Sequence, residues 1–384
     1  MLSYQKISES FFNVNDLSEE IHHNRDLILG DIFREAVLSH QETLLNQDLG
    51  GRYQRKQIEA GFACPVCNCR SFTRKGKRQR VYKCVFGKIT VFLLQVKCSS
   101  CGHRFCPYKD SIGLSYIDRI SQGLIARQMD LTCHIPYAKA QNFIRLCLDT
   151  AVSPVTVRKA VDRKADQIRS RPVTAKDRVV YEDSTKVKAG DKDRGESIHL
   201  AITAKPGYTL NGRPRMWKRF LFLKTGNADV IKESLKSLNA KAIVHDGDMD
   251  LTGCAPLIQR CLWHLPRQLK HFLWMDGLDF EARKPYVKEL IEALHHSSSV
   301  QTMKQGYNKV IGMLTGNNLD HSAVHLKNAF NEVTIVRQNK LPYPTTSPVE
   351  REMREINRRA DVGVRWSVKG IENLLLVKTY NKFT

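Results

Sequence analysis

Residues 179–189 read VVYEDSTKVKA, and residues 241–247 read KAIVHDG. Each stretch runs through β-branched and apolar residues up to an aspartate. On an alternating strand Val179, Tyr181 and Asp183 share one face, as do Ala242, Val244 and Asp246. Gly247 then ends the second strand. A carboxylate that closes the apolar side of a strand is costly unless it binds a cation or meets a base. Two strands that each present one carboxylate at an edge can hold a divalent ion between them, and hard Mg²⁺ prefers oxygen ligands. A single strand-end aspartate is more often a cap or turn residue, so the pair carries the reading.

Outward from these two stretches the pattern continues. SIHLAITA (197–204) and RFLFLKTG (219–226) are further strands, a helix is expected around 228–238, and IQRCLWH (258–264) offers a fifth strand. Three strands, a helix and more strands is the order of an RNase H-like α/β domain. Residues 265–330 read as mostly helical and interrupt that core. A last helix starts near Ser347-Pro348, a Ser-Pro helix signal. In SPVEREMREINRR (347–359), Val349, Met353, Ile356 and Ala360 form a stripe at helical spacing. Glu350 and Glu352 flank that stripe on opposite sides, and Glu355 points further away. A third acid would come from this segment; helical spacing disfavours Glu355 and leaves Glu350 and Glu352 both open. Arg354 and Arg358 lie near Glu350, so a surface ion pair is the ordinary alternative.

Upstream, Cys64-x2-Cys67 and Cys98-x2-Cys101 form two knuckles 30 residues apart. Tetrahedral Zn²⁺ takes four such thiolates, and an x2 loop lets two sulfurs reach one ion. Strands over 78–85 and 89–97, joined at Phe86-Gly87-Lys88, would set the knuckles side by side as a zinc ribbon. Cys69, Cys84, His103 and Cys106 are nearby bystanders or substitute ligands. The loop RKGKRQRVYK between the knuckles carries Arg74, Lys75, Lys77, Arg78, Arg80 and Lys83, which marks the ribbon as a DNA contact.

The charge is uneven. The net charge is +22; residues 1–60 hold six Lys/Arg against ten Asp/Glu, and residues 61–180 hold 23 against seven. A basic block of this kind neutralises phosphates, so nucleic acid is the expected partner. Within it, Tyr137 to Leu148 and a helix starting at Ser153-Pro154 suggest a helix-turn-helix. Val155, Val157, Val161, Ala165 and Ile168 give the second helix an apolar face, while Thr156, Arg158, Lys159 and Arg163 would meet DNA. Residues 1–60 read as helical through Ile21, Leu27, Leu29, Ile32, Phe33, Ala36 and Leu38, with Gly50-Gly51 as the break. No window approaches the roughly 18 apolar residues of a membrane span.

With these motifs in order, the chain resembles prokaryotic insertion-sequence transposases of the DDE type, in particular the Mutator-like group. The resemblance rests on EDSTKV (182–187), VHDGD (244–248), QRCLWHLPRQL (259–269) and SPVEREMREINRRADVGVRWSVKGIENLL (347–375), with the CPVC…CSSCG ribbon in front. It spans roughly residues 60–384. It implies an acid triad of Asp183, Asp246 and Glu350 and matches a family Cys-x2-His pair to Cys261 and His264. It also implies Mg²⁺- or Mn²⁺-dependent cleavage at transposon ends, then attack of the freed 3′-hydroxyl on target DNA. Ser184 stands where related enzymes would have Gly, and Glu182 and Asp248 are spare acids.

The expectation is therefore an α/β protein with four parts. These are a helical segment (1–60), a zinc ribbon (61–110), a helix-turn-helix-like DNA-binding region (111–175) and an RNase H-like catalytic domain with a helical insertion at about 265–330 (176–384). Its partners would be double-stranded DNA, as terminal inverted repeats and target, and further copies of itself. Its place would be the cytoplasm of a prokaryote, at the nucleoid. The competing expectation is a non-catalytic zinc-ribbon and helix-turn-helix DNA-binding protein, domesticated or decayed; a third is a host nuclease on the same fold.

Overall fold

The computed structural model describes residues 14–45, 57–59, 62–111, 119–190, 195–362 and 366–383. Gly50-Gly51 lies outside them. The protein is mixed α/β, in two compact units, Met1–Ala160 and Val161–Thr384.

The first unit opens with helix α1 (Val14–Leu45). Strand β1 (Gln57–Glu59), β2 (Ser71–Cys84), β3 (Gly87–Cys98) and β4 (Arg104–Phe105) form an antiparallel sheet in that order. The β2–β3 hairpin turns at Val85-Phe86, with Cys84 opposite Gly87. It is longer than expected because basic residues on β2 pair as well as apolar ones do. The stretch read as a loop is thus mostly strand. Its side chains alternate: Lys75 and Lys77 are exposed, Arg78 and Arg80 half-buried, and Arg74 buried. The Lys83 ammonium donates to the Ala151 carbonyl at 3.3 Å. The buried side of α1 also differs from the expected one. Val37 and Gln41 are buried, whereas Ile32 and Ala36 are exposed, because the strand it packs on selects the face.

Helix α2 (Pro107–Ser111) precedes α3 (Gln122–Thr132), α4 (Tyr137–Leu148) and α5 (Pro154–Arg169). The Ser153 hydroxyl accepts from the Thr156 amide at 3.2 Å and caps α5, as the Ser-Pro signal predicts. Arg158, Lys159 and Arg163 are exposed and Thr156 half-buried. Val157, Val161, Ala165 and Ile168 are buried, but Val155 is 56% exposed and leaves the apolar face. Gln128 on α3 ties this region together. Its amide donates to Val152 O and accepts from Val152 N, both at 2.8 Å, and the side chain is fully buried.

The second unit is built on a five-stranded sheet of order β7-β6-β5-β8-β9. Strand β5 (Val179–Val187) pairs antiparallel with β6 (Glu196–Tyr208), which pairs antiparallel with β7 (Pro214–Thr225). On its other side β5 pairs parallel with β8 (Ala242–His245), and β8 with β9 (Leu257–Arg260). The crossover helix α6 (Ala228–Ser237) begins at Asn227, whose side chain accepts from Val230 N. It buries Ile231 and Leu235 against Val180, Ala201 and Ile243 on one face of the sheet. Helices α7 (His264–Met275), α8 (Phe280–His295), α9 (Val300–Gly316) and α10 (Asp320–Ala329) hold a separate apolar core around Leu269, Leu290, Tyr307 and Leu326. After the short α11 (Ile335–Gln338), α12 (Ser347–Ala360) and α13 (Val368–Phe383) complete the unit. The possible fifth strand is shorter than expected: it stops at Arg260, and His264 starts a helix rather than ending a strand.

Replacing Gln128 with Ala leaves a buried N–H and a buried C=O of Val152 without partners. The expected loss is about 2–3 kcal/mol of stability, read as a lower denaturation midpoint; an unchanged midpoint would show that the bridge contributes nothing.

Candidate functional site

Two sites emerge, one in each unit. In the first unit the four knuckle cysteines gather. Sγ of Cys64 lies 3.6 Å from that of Cys101, and Sγ of Cys67 lies 3.5 Å from that of Cys98. All four sulfurs fall within 4.8 Å of one another. Four thiolates at ~2.3 Å from a tetrahedral Zn²⁺ sit roughly 3.8 Å apart, so the cluster is compatible with zinc. The knuckle turns explain the convergence. Asn68 N donates to Cys64 O and Gly102 N to Cys98 O, with Asn68 and Gly102 both at positive φ. The Cys101 backbone N–H, first among several donors, pulls the Cys98 thiol down to about 6, towards the thiolate a metal needs. Cys69 stays outside, its sulfur against the Ser71 backbone.

In the second unit the parallel register sets Val179 beside Ala242, Val180 beside Ile243 and Tyr181 beside Val244. Asp183 lies two residues beyond Tyr181 on β5, and Asp246 two residues beyond Val244, just past the end of β8. Both aspartates are buried, at 6% and 7% exposure. Burial, then the neighbouring Asp246 charge, pushes the Asp183 carboxyl up to about 7. Burial, then Glu182 and Asp248, pushes Asp246 up to about 6. Each carboxylate is oriented by the chain that follows it: Asp183 accepts from Ser184 N and Asp246 from Asp248 N, both at 3.0 Å. The turn after Asp246 depends on Gly247, at φ +99°. A Cβ there would stand 2.5 Å from the Arg260 side chain. Arg260 donates to Gly247 O and is itself held by Glu332. Gln268 on α7 donates to Asp246 O at 3.0 Å. Glu182 faces the other way, fully buried against Nδ1 of His199 at 2.9 Å.

A buried knot brings α12 to this edge. Thr346 donates its N–H to the Cys261 sulfur at 3.3 Å, and its hydroxyl lies 3.3 Å from His264 Nδ1. Leu262 N donates to Pro344 O. The bond to Cys261, partly offset by burial, raises His264 to about 9, and the charges of Asp183 and Asp246 raise it further. Burial opposes ionisation of Cys261, but His264 and Thr346 outweigh it and hold the thiol low. Thr346, rather than Ser347, occupies the N-cap position of α12, and its side chain is engaged by the knot instead of by the helix. Nothing in the sequence marks Thr346, Gln268 or Arg260 for these roles; only Gly247 carried a signal.

The two candidate glutamates are treated differently. Glu352 is 4% exposed and pairs with Lys218, at 3.1 Å, and with Lys382. Burial would raise its carboxyl, but Lys382 and Lys218 hold it below the ordinary range. Glu350 lies in the first turn of α12, half-buried and without an ion-pair partner among the described residues. Arg358, a possible partner of Glu350, pairs with Glu355. Thr185 beside Asp183 donates to Asn357 of α12 at 2.9 Å, so α12 lies on the face that carries the aspartates. Among the described residues the four cysteines are the one group of three or more His, Cys, Asp or Glu drawn within 4.8 Å; Asp183, Asp246 and Glu350 are not so close. No helix among those residues is long and apolar enough to cross a membrane.

Two outcomes follow from the charges. Asp183 stays protonated in the folded protein up to about pH 7 but ionises near 4 when unfolded. Between these values unfolding releases a proton, so stability falls as pH rises and the loss is complete above about 7. Asp183→Asn removes that loss. It should stabilise the metal-free protein at alkaline pH by about 1–3 kcal/mol and have no such effect near pH 3.5; equal stability at alkaline pH would contradict the burial argument. With zinc bound at the cysteine cluster, chelation or Cys98→Ser should destabilise the first unit by on the order of several kcal/mol, read by thermal melting alongside metal content; a purified protein without metal whose melting is unmoved by chelation would count against a zinc site. Comparison with protein-family models and with the curated proteins gave no match.

Proposed function

We propose that the protein is a transposase of the DDE type, which cleaves DNA at element ends and transfers the freed strand into target DNA. The observation that carries this reading is the parallel pairing of β5 and β8, with Asp183 and Asp246 each two residues beyond the last paired residues and both buried. The strand order β7-β6-β5-β8-β9, in which β6 alone runs against the other four, supports the reading of an RNase H-like catalytic core. The cysteine cluster on a β-hairpin supports the reading of a zinc ribbon, and the capped α5 with its exposed Arg158, Lys159 and Arg163 supports a helix-turn-helix contact with DNA.

In this reading Asp183, Asp246 and Glu350 hold Mg²⁺ or Mn²⁺. The donor set fits: it is all oxygen, and the two aspartates are buried together with no lysine or arginine bonded to them. Bound metal would polarise the scissile phosphate and lower the proton affinity of the attacking oxygen. Glu350 is favoured over Glu352, whose charge two lysines already neutralise. His264, held as an imidazolium by Cys261 and the aspartates, offers a positive N–H beside the reacting phosphate. The cap of α12 directs the positive end of a helix dipole to the same place.

The purified protein with Mg²⁺ and DNA bearing the element's terminal repeats should nick at the repeat ends. Asp183→Ala, Asp246→Ala and Glu350→Gln should each abolish nicking while leaving DNA binding intact, and Glu352→Gln should alter stability more than chemistry. Nicking that survives Asp183→Ala would overturn the assignment. One observation favours a non-catalytic DNA-binding protein instead: the three carboxylates do not draw together to 4.8 Å. That alternative expects tight DNA binding, no nicking by the unaltered protein, and indifference to all three acid changes.

A further inference from the structure

The second unit carries a concentration of positive charge that the acid triad leaves unused. A cleft of about 490 Å³ opens at Val179, the end of β5 remote from Asp183, and its wall includes Arg178, Lys205, Arg219, Lys241 and Lys340. All five are exposed, and none has an ion-pair partner among the described residues. Asp177 is the one acid in that lining, and Lys218, also in the wall, is already engaged by Glu352. Five unneutralised cations around one opening repel one another, so the free cleft stores electrostatic energy that a polyanion would release.

The wall is also preformed. Trp217 lies across β6 where Gly207 removes the obstacle: a Cβ at 207 would stand 2.2 Å from the indole ring. The Arg215 guanidinium covers the same ring, 4.5 Å from its centroid. The indole is 45% exposed, which leaves a flat, cation-backed shelf at the cleft mouth. Lys340 is held at φ 52°, a left-handed conformation that lysine rarely adopts. That conformation belongs to the end of α11, where Leu341 N donates to Val336 O, and it leaves Lys340 exposed in the wall.

We propose that this cleft and the Arg215–Trp217 shelf bind the sugar–phosphate backbone of duplex DNA. The four steps from Val179 to Asp183 span ~13 Å of strand, which corresponds to about four base pairs at ~3.4 Å each. A small anion would satisfy two or three of the cations, whereas an extended polyanion meets all five. The choice of DNA as that polyanion rests on the function proposed above. The contact would hold the duplex at a distance from the aspartates, separate from the basic residues of the first unit.

The test is binding of the full-length protein to a labelled DNA duplex, followed by fluorescence anisotropy over a range of KCl, in Ca²⁺ buffer without Mg²⁺ so that cleavage plays no part. Each phosphate contact adds about 0.9 to the slope of log affinity against log salt. The triple change Lys205→Gln, Arg219→Gln, Lys241→Gln should therefore lower the slope by about 2–3 and weaken binding at least about tenfold at low salt. Zinc content and melting temperature should not change; should the triple variant unfold, the single changes serve, each lowering the slope by about 0.9. Gly207→Ala removes no charge but displaces the indole, and should weaken binding with the slope unchanged. An unchanged slope in the folded variants, or no duplex binding by the unaltered protein, would overturn the proposal. A protein that fails to nick DNA but shows the reduced slope leaves this contact standing, and one that nicks with an unchanged slope removes this contact alone.

Discussion

Asp183 on β5 and Asp246 just past the end of the adjoining parallel strand β8 are both buried, and much of the second unit is arranged around them. Two carboxyls in such a place resist ionisation, which is why both are raised well above their ordinary values. The surroundings answer with positive charge and with rigid backbone. His264 is kept protonated nearby, Gly247 and Arg260 lock the turn after Asp246, and Gln268 holds its carbonyl. These groups come from the turn after β8, from β9 and from α7, so the surroundings of the aspartates draw on several elements.

Buried glutamines perform a parallel task elsewhere. Gln41 donates to Phe92 O and accepts from Leu94 N, completing the edge of β3 that β4 leaves uncovered. Gln128 does the same for Val152, and Gln259 for Val333 and Val336. Each primary amide offers one donor and one acceptor in a plane, as a neighbouring strand would, and so satisfies backbone groups that have no strand to pair with. Irregular segments are thereby fastened without water and without charge.

The elements that were readable in advance are those whose signal is local. Alternation marked β5 and β8, the doubled Cys-x2-Cys marked the sulfur cluster, and Ser153-Pro154 marked the start of α5, because each depends on side chains a few residues apart. The readings that shifted depended on a partner. The basic run at 74–83 is largely a strand because β3 pairs with it, and Arg74 turned inward as a result. Ile32 and Val155 face solvent because the surfaces they might have covered lie on the other side of their helices.

The same division applies to the acids. Sequence by itself marked Asp183 and Asp246 as acids following apolar strand residues, although β5 continues past Asp183 to Val187, and it marked Val349, Met353 and Ile356 as the buried stripe of a late helix, since both are matters of local periodicity. It could not choose between Glu350 and Glu352, which flank that stripe equally. Tertiary structure treats them differently: Lys218 from β7 and Lys382 from α13 neutralise Glu352, while Glu350 is half-buried in the first turn of α12 without an ion-pair partner among the described residues. It likewise buries Arg359 against the Trp366 ring and gathers cations from five separate segments into one cleft. Charge neutralisation and clustering act through space between residues far apart in the chain, and local pattern carries no record of them.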